Sequence, residues 1–296
     1  MIQKIHIARA WKYMLMYTYF ILIWGTYVRV SRSGSGCGVS WPDCQGSFFV
    51  SWSFGPQWIE YIHRASSGLY GLLAVFLCVV TWRSKASRIA KGICLVFLVL
   101  LFLEAWIGRI LVIQEYVVGD HRVQRMLWMG FHFLNTLLLS ASLIFLWQEL
   151  AQGWLSIHQS VLKCFRRLLS SVDIWFFIGV CLFGVVAAFF DTSIVESGKQ
   201  ASILPWWVIW TRNAHPLVAL SYVGISIFRI GYQSREYTQL HMFLLVMLVM
   251  NVVVGTANVL WHHLELLQLV HVFNTHLIWM GLILFRLQSM SFKKSS

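Results

Sequence analysis

Charge is what this chain has least of. Only 11% of its 296 residues are Asp, Glu, Lys or Arg, whereas a soluble domain carries about 25%. With 58% hydrophobic residues and a mean hydropathy of +0.69, that scarcity excludes a soluble globular domain and leaves a polytopic membrane protein. Acidic residues are scarcer than basic ones, 11 against 23, for a net charge of +12. The excess does not call for nucleic acid, because most Lys and Arg sit in short loops between apolar runs, where they act as a topology signal. The first apolar run, from about Trp11 to Val28, lacks a small-residue cleavage site and is too long for a secretory leader. The short basic N-terminus also lacks an Arg/Ser-rich transit region, so the expected setting is a bacterial plasma membrane with lipid as the surrounding medium.

A membrane-spanning helix needs about 20 mostly apolar residues. Eight such stretches are expected, at about 11–30, 59–82, 92–113, 125–147, 173–190, 206–230, 239–261 and 266–286. The fifth reads as short, and Pro216 is placed to start or kink the sixth. Basic residues then sort by side. One side holds Lys4, Arg9 and Lys12; Arg83, Lys85, Arg88 and Lys91; Lys163, Arg166 and Arg167; Arg229 and Arg235; Lys293 and Lys294. The opposite loops hold fewer and mix them with Asp43, Glu115, Asp120, Asp191, Glu196 and Glu265. The positive-inside rule makes the first side cytoplasmic, with both termini inside and the 31–58 loop outside. Spans one to four and five to eight fill residues 1–150 and 151–296, joined by a basic connector near 150–171. The expected fold is all-α, two pseudo-symmetric four-helix bundles, a form that builds cofactor sites from side chains on facing helices.

Eleven histidines are present. His6, His158 and His241 fall in or beside cytoplasmic segments, and His121, His262 and His263 in outward loops; these read as solvated polar residues. His63, His132, His215 and His271 differ, because each lies in the first turns of an even-numbered span that enters from outside. They form one pair per half, His63 with His132 and His215 with His271, at matched depth. Paired imidazoles in an apolar bundle suit haem iron, and the 16% aromatic content is enough to wall a porphyrin. Zinc fits less well, since cysteines and carboxylates do not gather near these histidines. His276 rivals His271, but five residues along a helix turn it to another face.

Glu60 precedes His63 by three residues in the string Glu60-Tyr61-Ile62-His63-Arg64, so acid and imidazole share a helix face. Ionisable groups at membrane depth are costly and usually have a task. Arg212 precedes His215 by the same spacing. That contrast points to chemistry in the first half and a permanently held haem in the second, with Arg212 available to a propionate. Upstream of Glu60, Cys37 and Cys44 flank a Gly- and Pro-bearing turn in an outward loop. A disulfide there is plausible on the oxidising side. A staple over the first site and a redox pair are both open readings. Cys78, Cys94, Cys164 and Cys181 read as small apolar core residues or inert thiols.

The run from Arg29 to Gly46, followed by Glu60-Tyr61-Ile62-His63-Arg64, resembles the haem A synthase family. Gly108-Arg109-Ile110-Leu111-Val112, His132, His215 and Gln268-Leu269-Val270-His271 extend the likeness along the chain. Glu104 departs from it, standing where a Gln is common, and the 191–205 loop lacks the cysteine pair of some members. The resemblance implies eight spans in two halves and oxidation of the C8 methyl of haem O to a formyl group, giving haem A for terminal oxidases. It implies that His63 and His132 flank the substrate haem and that Glu60 assists the oxidation. It also implies that His215 and His271 ligate a bound haem b, and that Cys37 and Cys44 are the family's cysteine pair. Haem O, an electron donor and a haem O synthase are the partners this implies. A bis-His b-type cytochrome passing electrons between quinol and a partner protein explains the histidines equally well, but gives Glu60 and the cysteine loop no task. A transporter predicts a polar site at the midplane, whereas the polar groups here gather at one surface.

Overall fold

The computed structural model describes residues 2–51, 55–153, 170–196, 204–233, 239–261 and 264–292. Most of the connector near 150–171, with Lys163, Cys164, Arg166 and Arg167, lies outside these residues, as do His158, Arg235, His262, His263, Lys293 and Lys294. The fold is all-α. Among the described residues the elements are α1 (Ile2–Val30), α2 (Pro56–Arg83), α3 (Arg88–Ile113), α4 (Val123–Gln152), α5 (Val172–Glu196), α6 (Trp206–Gln233), α7 (Gln239–Leu260) and α8 (Glu265–Phe292). Each contains one of the eight stretches read from hydropathy, to within a residue or two. Six of them are long and apolar enough to cross a membrane. The other two, α1 and α6, match them in length but carry Arg9 and Lys12, and Arg212 and Arg229. The chain is a multi-pass membrane protein.

Two helices depart from the sequence expectation, each for a local reason, and in a third Pro216 takes the second of its two expected places. The fifth is not short: α5 has 25 residues, because the polar turn after its apolar stretch finds partners, Asp191 in Arg212 and Glu196 in Arg125. Helix α4 continues five residues past Trp147 to Gln152; Glu149 in that extension is buried and accepts from the Ser87 hydroxyl at 2.6 Å. It stops at Gly153, whose φ of 63° is the left-handed conformation that glycine adopts without strain. Pro216 lies inside α6 rather than at its start.

Lipid tails are as apolar as leucine, so burial does not drive these helices together; close packing and hydrogen bonds do. Helix α4 is the central stave. In its most apolar stretch 61% of residues are buried, against 11% in α3, and it packs on α1, α3, α5 and α8. Helices α1 to α4 close a ring, α1 on α2, α2 on α3, α3 on α4 and α4 on α1. The two halves meet where α1 and α4 touch α8 and α4 touches α5. Trp279 Nε1 donates to the Leu137 carbonyl at 2.9 Å across that seam, and the Tyr19 hydroxyl to the His276 carbonyl at 3.3 Å. The main apolar core, with Trp11, Phe97, Leu143, Ile144 and Ile278 fully buried, lies toward the end where α1 begins. The opposite end, which carries the cysteine loop, is where the polar groups collect.

Candidate functional site

Each of the four histidines stands on the second helix of a helical hairpin, and each faces a glycine on the first. A methyl group built at Gly25 of α1 would lie 2.9 Å from Cε1 of His63 on α2. The same construction gives 3.9 Å from Gly108 on α3 to His132 on α4, 3.2 Å from Gly184 on α5 to His215 on α6, and 3.0 Å from Gly255 on α7 to His271 on α8. At Gly25, Gly184 and Gly255 a methyl group would crowd the ring, whereas at Gly108 it would make ordinary contact. His63 lies within electrostatic range of His132, and His215 of His271. The structure thus brings the histidines together in the same two pairs that their depth in the sequence suggests, four copies of one glycine–histidine hairpin.

In the first pair the surroundings are polar and tightly tied. Glu60 is 3% exposed. Its Oε2 accepts the backbone N–H of Cys37 at 2.8 Å, and its Oε1 accepts Arg64 Nη2 at 2.5 Å and Nε at 3.1 Å. Arg64 Nη1 reaches past the carboxylate to donate to the carbonyls of Ser40 and Asp43, both at 2.6 Å. Cys37 and Cys44 form a disulfide, so both ends of the closed loop are gripped from one turn of α2. The loop approaches closely enough that a Cβ on Gly36 would fall 2.3 Å from the carbonyl carbon of Pro56; glycine alone fits. Tyr61 adds a hydrogen bond from its hydroxyl to the Phe48 carbonyl at 3.0 Å. A buried carboxylate costs several kcal/mol, roughly, unless it is paired and hydrogen-bonded, and here both oxygens are supplied.

The second pair is plainer. Arg212 does not stand alone: its Nε lies 3.3 Å from Asp191 Oδ1, its Nη1 donates to Asn213 Oδ1 at 3.1 Å, and its guanidinium sits 5.5 Å from the Phe190 ring. The contrast drawn from sequence, an acid beside one pair and a base beside the other, is therefore softer in space, because each half places an acid–base pair next to its first histidine. What differs is that Glu60 is sealed under a loop, while the Arg212 side chain is 30% exposed. His271 Nδ1 lies 3.2 Å from the Asn251 carbonyl. His276 turns the other way, buried against Phe133 with ring centroids 5.5 Å apart, in the seam between halves and away from Gly255.

Sequence reading left Glu104 as a mere departure from pattern. In space it lies on α3 with one carboxylate oxygen 3.3 Å from His132 Nδ1, and it accepts from Asn135 Nδ2 at 2.5 Å and from the Thr136 hydroxyl. The signal was available: an ionisable residue inside an apolar span. Gly25, Gly184 and Gly255 were also missed, and Gly108 entered only within a longer string, since a glycine in a membrane helix is unremarkable until its neighbour is known.

The donor set fits haem. Among the described residues no three His, Cys, Asp or Glu side chains gather to hold a bare ion. The histidines come in twos, as suits an iron whose remaining ligands come from the porphyrin. His63 and His132 each bury an Nδ1 without a hydrogen-bond partner, as His276 does outside the pairs, so it is the pairing of the rings that carries the fit.

Comparison with known proteins supports the same direction. A family model described as cytochrome oxidase assembly protein matches residues 54–283, well over half of the chain. A heme A synthase of Symbiobacterium thermophilum is 42% identical over 67 residues, covering 23% of this chain and 22% of its own. A heme A synthase of Bacillus licheniformis is 36% identical over 128 residues, covering 43% and 39%. A protoheme IX farnesyltransferase of Thermus thermophilus is 30% identical over 244 residues, covering 75% of this chain and 38% of its own. The chain therefore spans between 22% and 39% of the length of these relatives.

Proposed function

The chain belongs to the cytochrome oxidase assembly protein family, and from that premise we propose that it is a haem A synthase. In this reading it oxidises the C8 methyl group of haem O to a formyl group and so furnishes haem A for a terminal oxidase. The observation that carries the reading is the sealed carboxylate one helical turn before His63, tied to the disulfide loop through Cys37 and to Arg64. A b-type cytochrome has no use for it; oxidation of a methyl group by water, which releases protons beside the haem, does.

The roles divide by half. Residues 1–150 form the substrate half, in which His63 and His132 hold haem O from facing helices. Glu60 Oε1 and Oε2 sit where a released proton is taken up, and Arg64 keeps that carboxylate fixed in the meantime. The Cys37–Cys44 loop covers the site. Residues 151–296 form the second half, in which His215 and His271 hold a haem b and Arg212 stands near its edge. A haem b held there supplies a one-electron couple. Gly184 and Gly255 keep the two rings flat against their hairpins, and Asn251 orients His271 through its carbonyl. The two halves are pseudo-symmetric bundles, the loop faces outward from a bacterial plasma membrane, and both termini are cytoplasmic. Haem O arrives from a haem O synthase or from the lipid; conversion of the methyl to a formyl group takes its oxygen atom from water and releases four protons and four electrons, the electrons passing to an external acceptor.

The test is expression beside a haem O synthase in a host that makes no haem A, followed by haem extraction and chromatography. Haem A in the extract is the expected result. Bound protohaem with haem O left unconverted would favour the bis-His cytochrome instead.

A further inference from the structure

We propose that Glu104 is a positioning residue for His132, and that it makes this imidazole a stronger iron donor than its counterpart in the second half. The inference rests on the haem-holding reading of the first histidine pair.

Glu104 stands inside α3, whose apolar stretch has a mean hydropathy of 2.4. Among the described ion pairs it meets no Arg or Lys; its one basic neighbour is His132, whose Nδ1 is 3.3 Å from Oε1. Asn135 Nδ2 donates to Oε2, the Thr136 hydroxyl donates to Oε1, and Asn135 is itself anchored to the Leu100 carbonyl at 2.9 Å. With these donors satisfied, the carboxylate faces His132 as an acceptor. The distance is short, but the Nδ1 direction lies off the hydrogen-bond line, so that nitrogen has no partner as it stands. His132 has the room to turn: its glycine leaves 3.9 Å where the other three leave 2.9–3.2 Å.

The second half supplies the comparison. One turn before Gly108 is Glu104, and one turn before Gly255 is Asn251. One turn after His132 is Thr136, and one turn after His271 is Thr275. Asn251 Nδ2 lies 3.2 Å from the Thr275 hydroxyl oxygen, the same cross-hairpin pairing that Glu104 makes with Thr136. The two sites thus differ in what meets the histidine: a side-chain carboxylate at His132, a backbone carbonyl at His271. His271 Nδ1 meets the neutral backbone carbonyl of Asn251, 3.2 Å away. A carboxylate on Nδ1–H fixes the tautomer that leaves Nε2 for iron and raises ligand basicity, and losing such a partner costs about 10- to 100-fold in metal affinity or activity.

Purified full-length protein is titrated with protohaem IX, and both haems are followed by optical spectroelectrochemistry. Glu104→Gln, which keeps the shape, weakens binding at the first site about 10- to 100-fold and raises the midpoint potential of that haem alone. Unchanged affinity and potential in Glu104→Gln, or equal shifts in both haems, would overturn the proposal. His132→Ala separates the two levels: if it leaves the first haem in place, the ligand reading itself fails, whereas loss of that haem beside a silent Glu104→Gln defeats only the role given to Glu104.

Discussion

The backbone N–H of Cys37 donates to Oε2 of Glu60 at 2.8 Å, joining residues 23 apart in sequence. The disulfide loop and the sealed carboxylate are therefore one mechanical unit. Replacing both cysteines by serine releases the constraint on the loop, at a cost of about 2–4 kcal/mol for a typical disulfide. The expected outcome is faster proteolysis within 37–50 and a fall in haem A output, with haem content retained. Haem A formed at the normal rate by a protease-sensitive loop would separate the loop from the chemistry.

Glu60→Gln keeps the side chain's size but removes its charge and its capacity to take up a proton. Loss of general-base help costs about 10²- to 10⁴-fold in rate, so haem A formation falls by that order while bound haem stays. Arg64→Lys is not a mild change either. A single ammonium cannot hold Glu60 and the carbonyls of Ser40 and Asp43 together in the geometry of the planar fork. Retained output in Glu60→Gln removes that residue from the mechanism.

His215→Ala or His271→Ala is expected to empty the second half of its haem during purification, read as loss of the low-spin absorption bands. His63→Ala and His132→Ala leave that haem and lose substrate binding. The reverse pattern would exchange the roles assigned to the two halves.

Gly25→Ala and Gly108→Ala make a matched contrast. A Cβ at position 25 meets His63 at 2.9 Å, which real Cβ atoms do not tolerate without a shift, while one at 108 meets His132 at an ordinary 3.9 Å. The first variant displaces an imidazole and disturbs the spectrum of haem bound in the first half; the second leaves it alone. Equal effects from both would show that the glycines serve helix packing in general rather than ring placement.

Much of this architecture was legible in the chain. The spans follow from hydropathy because nothing else satisfies backbone groups in lipid, and the depth of His63, His132, His215 and His271 follows from counting residues from each span's start. Glu104 was visible but mute, because its meaning depends on the register of α3 against α4, which brings it to His132 and Thr136. The length of α5 was misjudged for the same kind of reason. Asp191 and Glu196 read as loop residues until Arg212 and Arg125 are found beside them. Likewise, Arg212 read as a lone base because its acid lies 21 residues away in sequence.

The glycine–histidine hairpin has a consequence for the order in which the protein is made. One hairpin supplies one imidazole, so no hairpin is competent alone. The first pair is complete once α4 has been inserted, before any of residues 172–292 has left the ribosome. The second must wait for α8. The Arg125–Glu196 bridge, 2.8 Å long and almost fully buried, needs α5, so the first half passes through a stage in which its histidine pair is present but Arg125 has no carboxylate. The two histidine pairs are thus completed one after the other as the helices are inserted, the first by α4 and the second by α8.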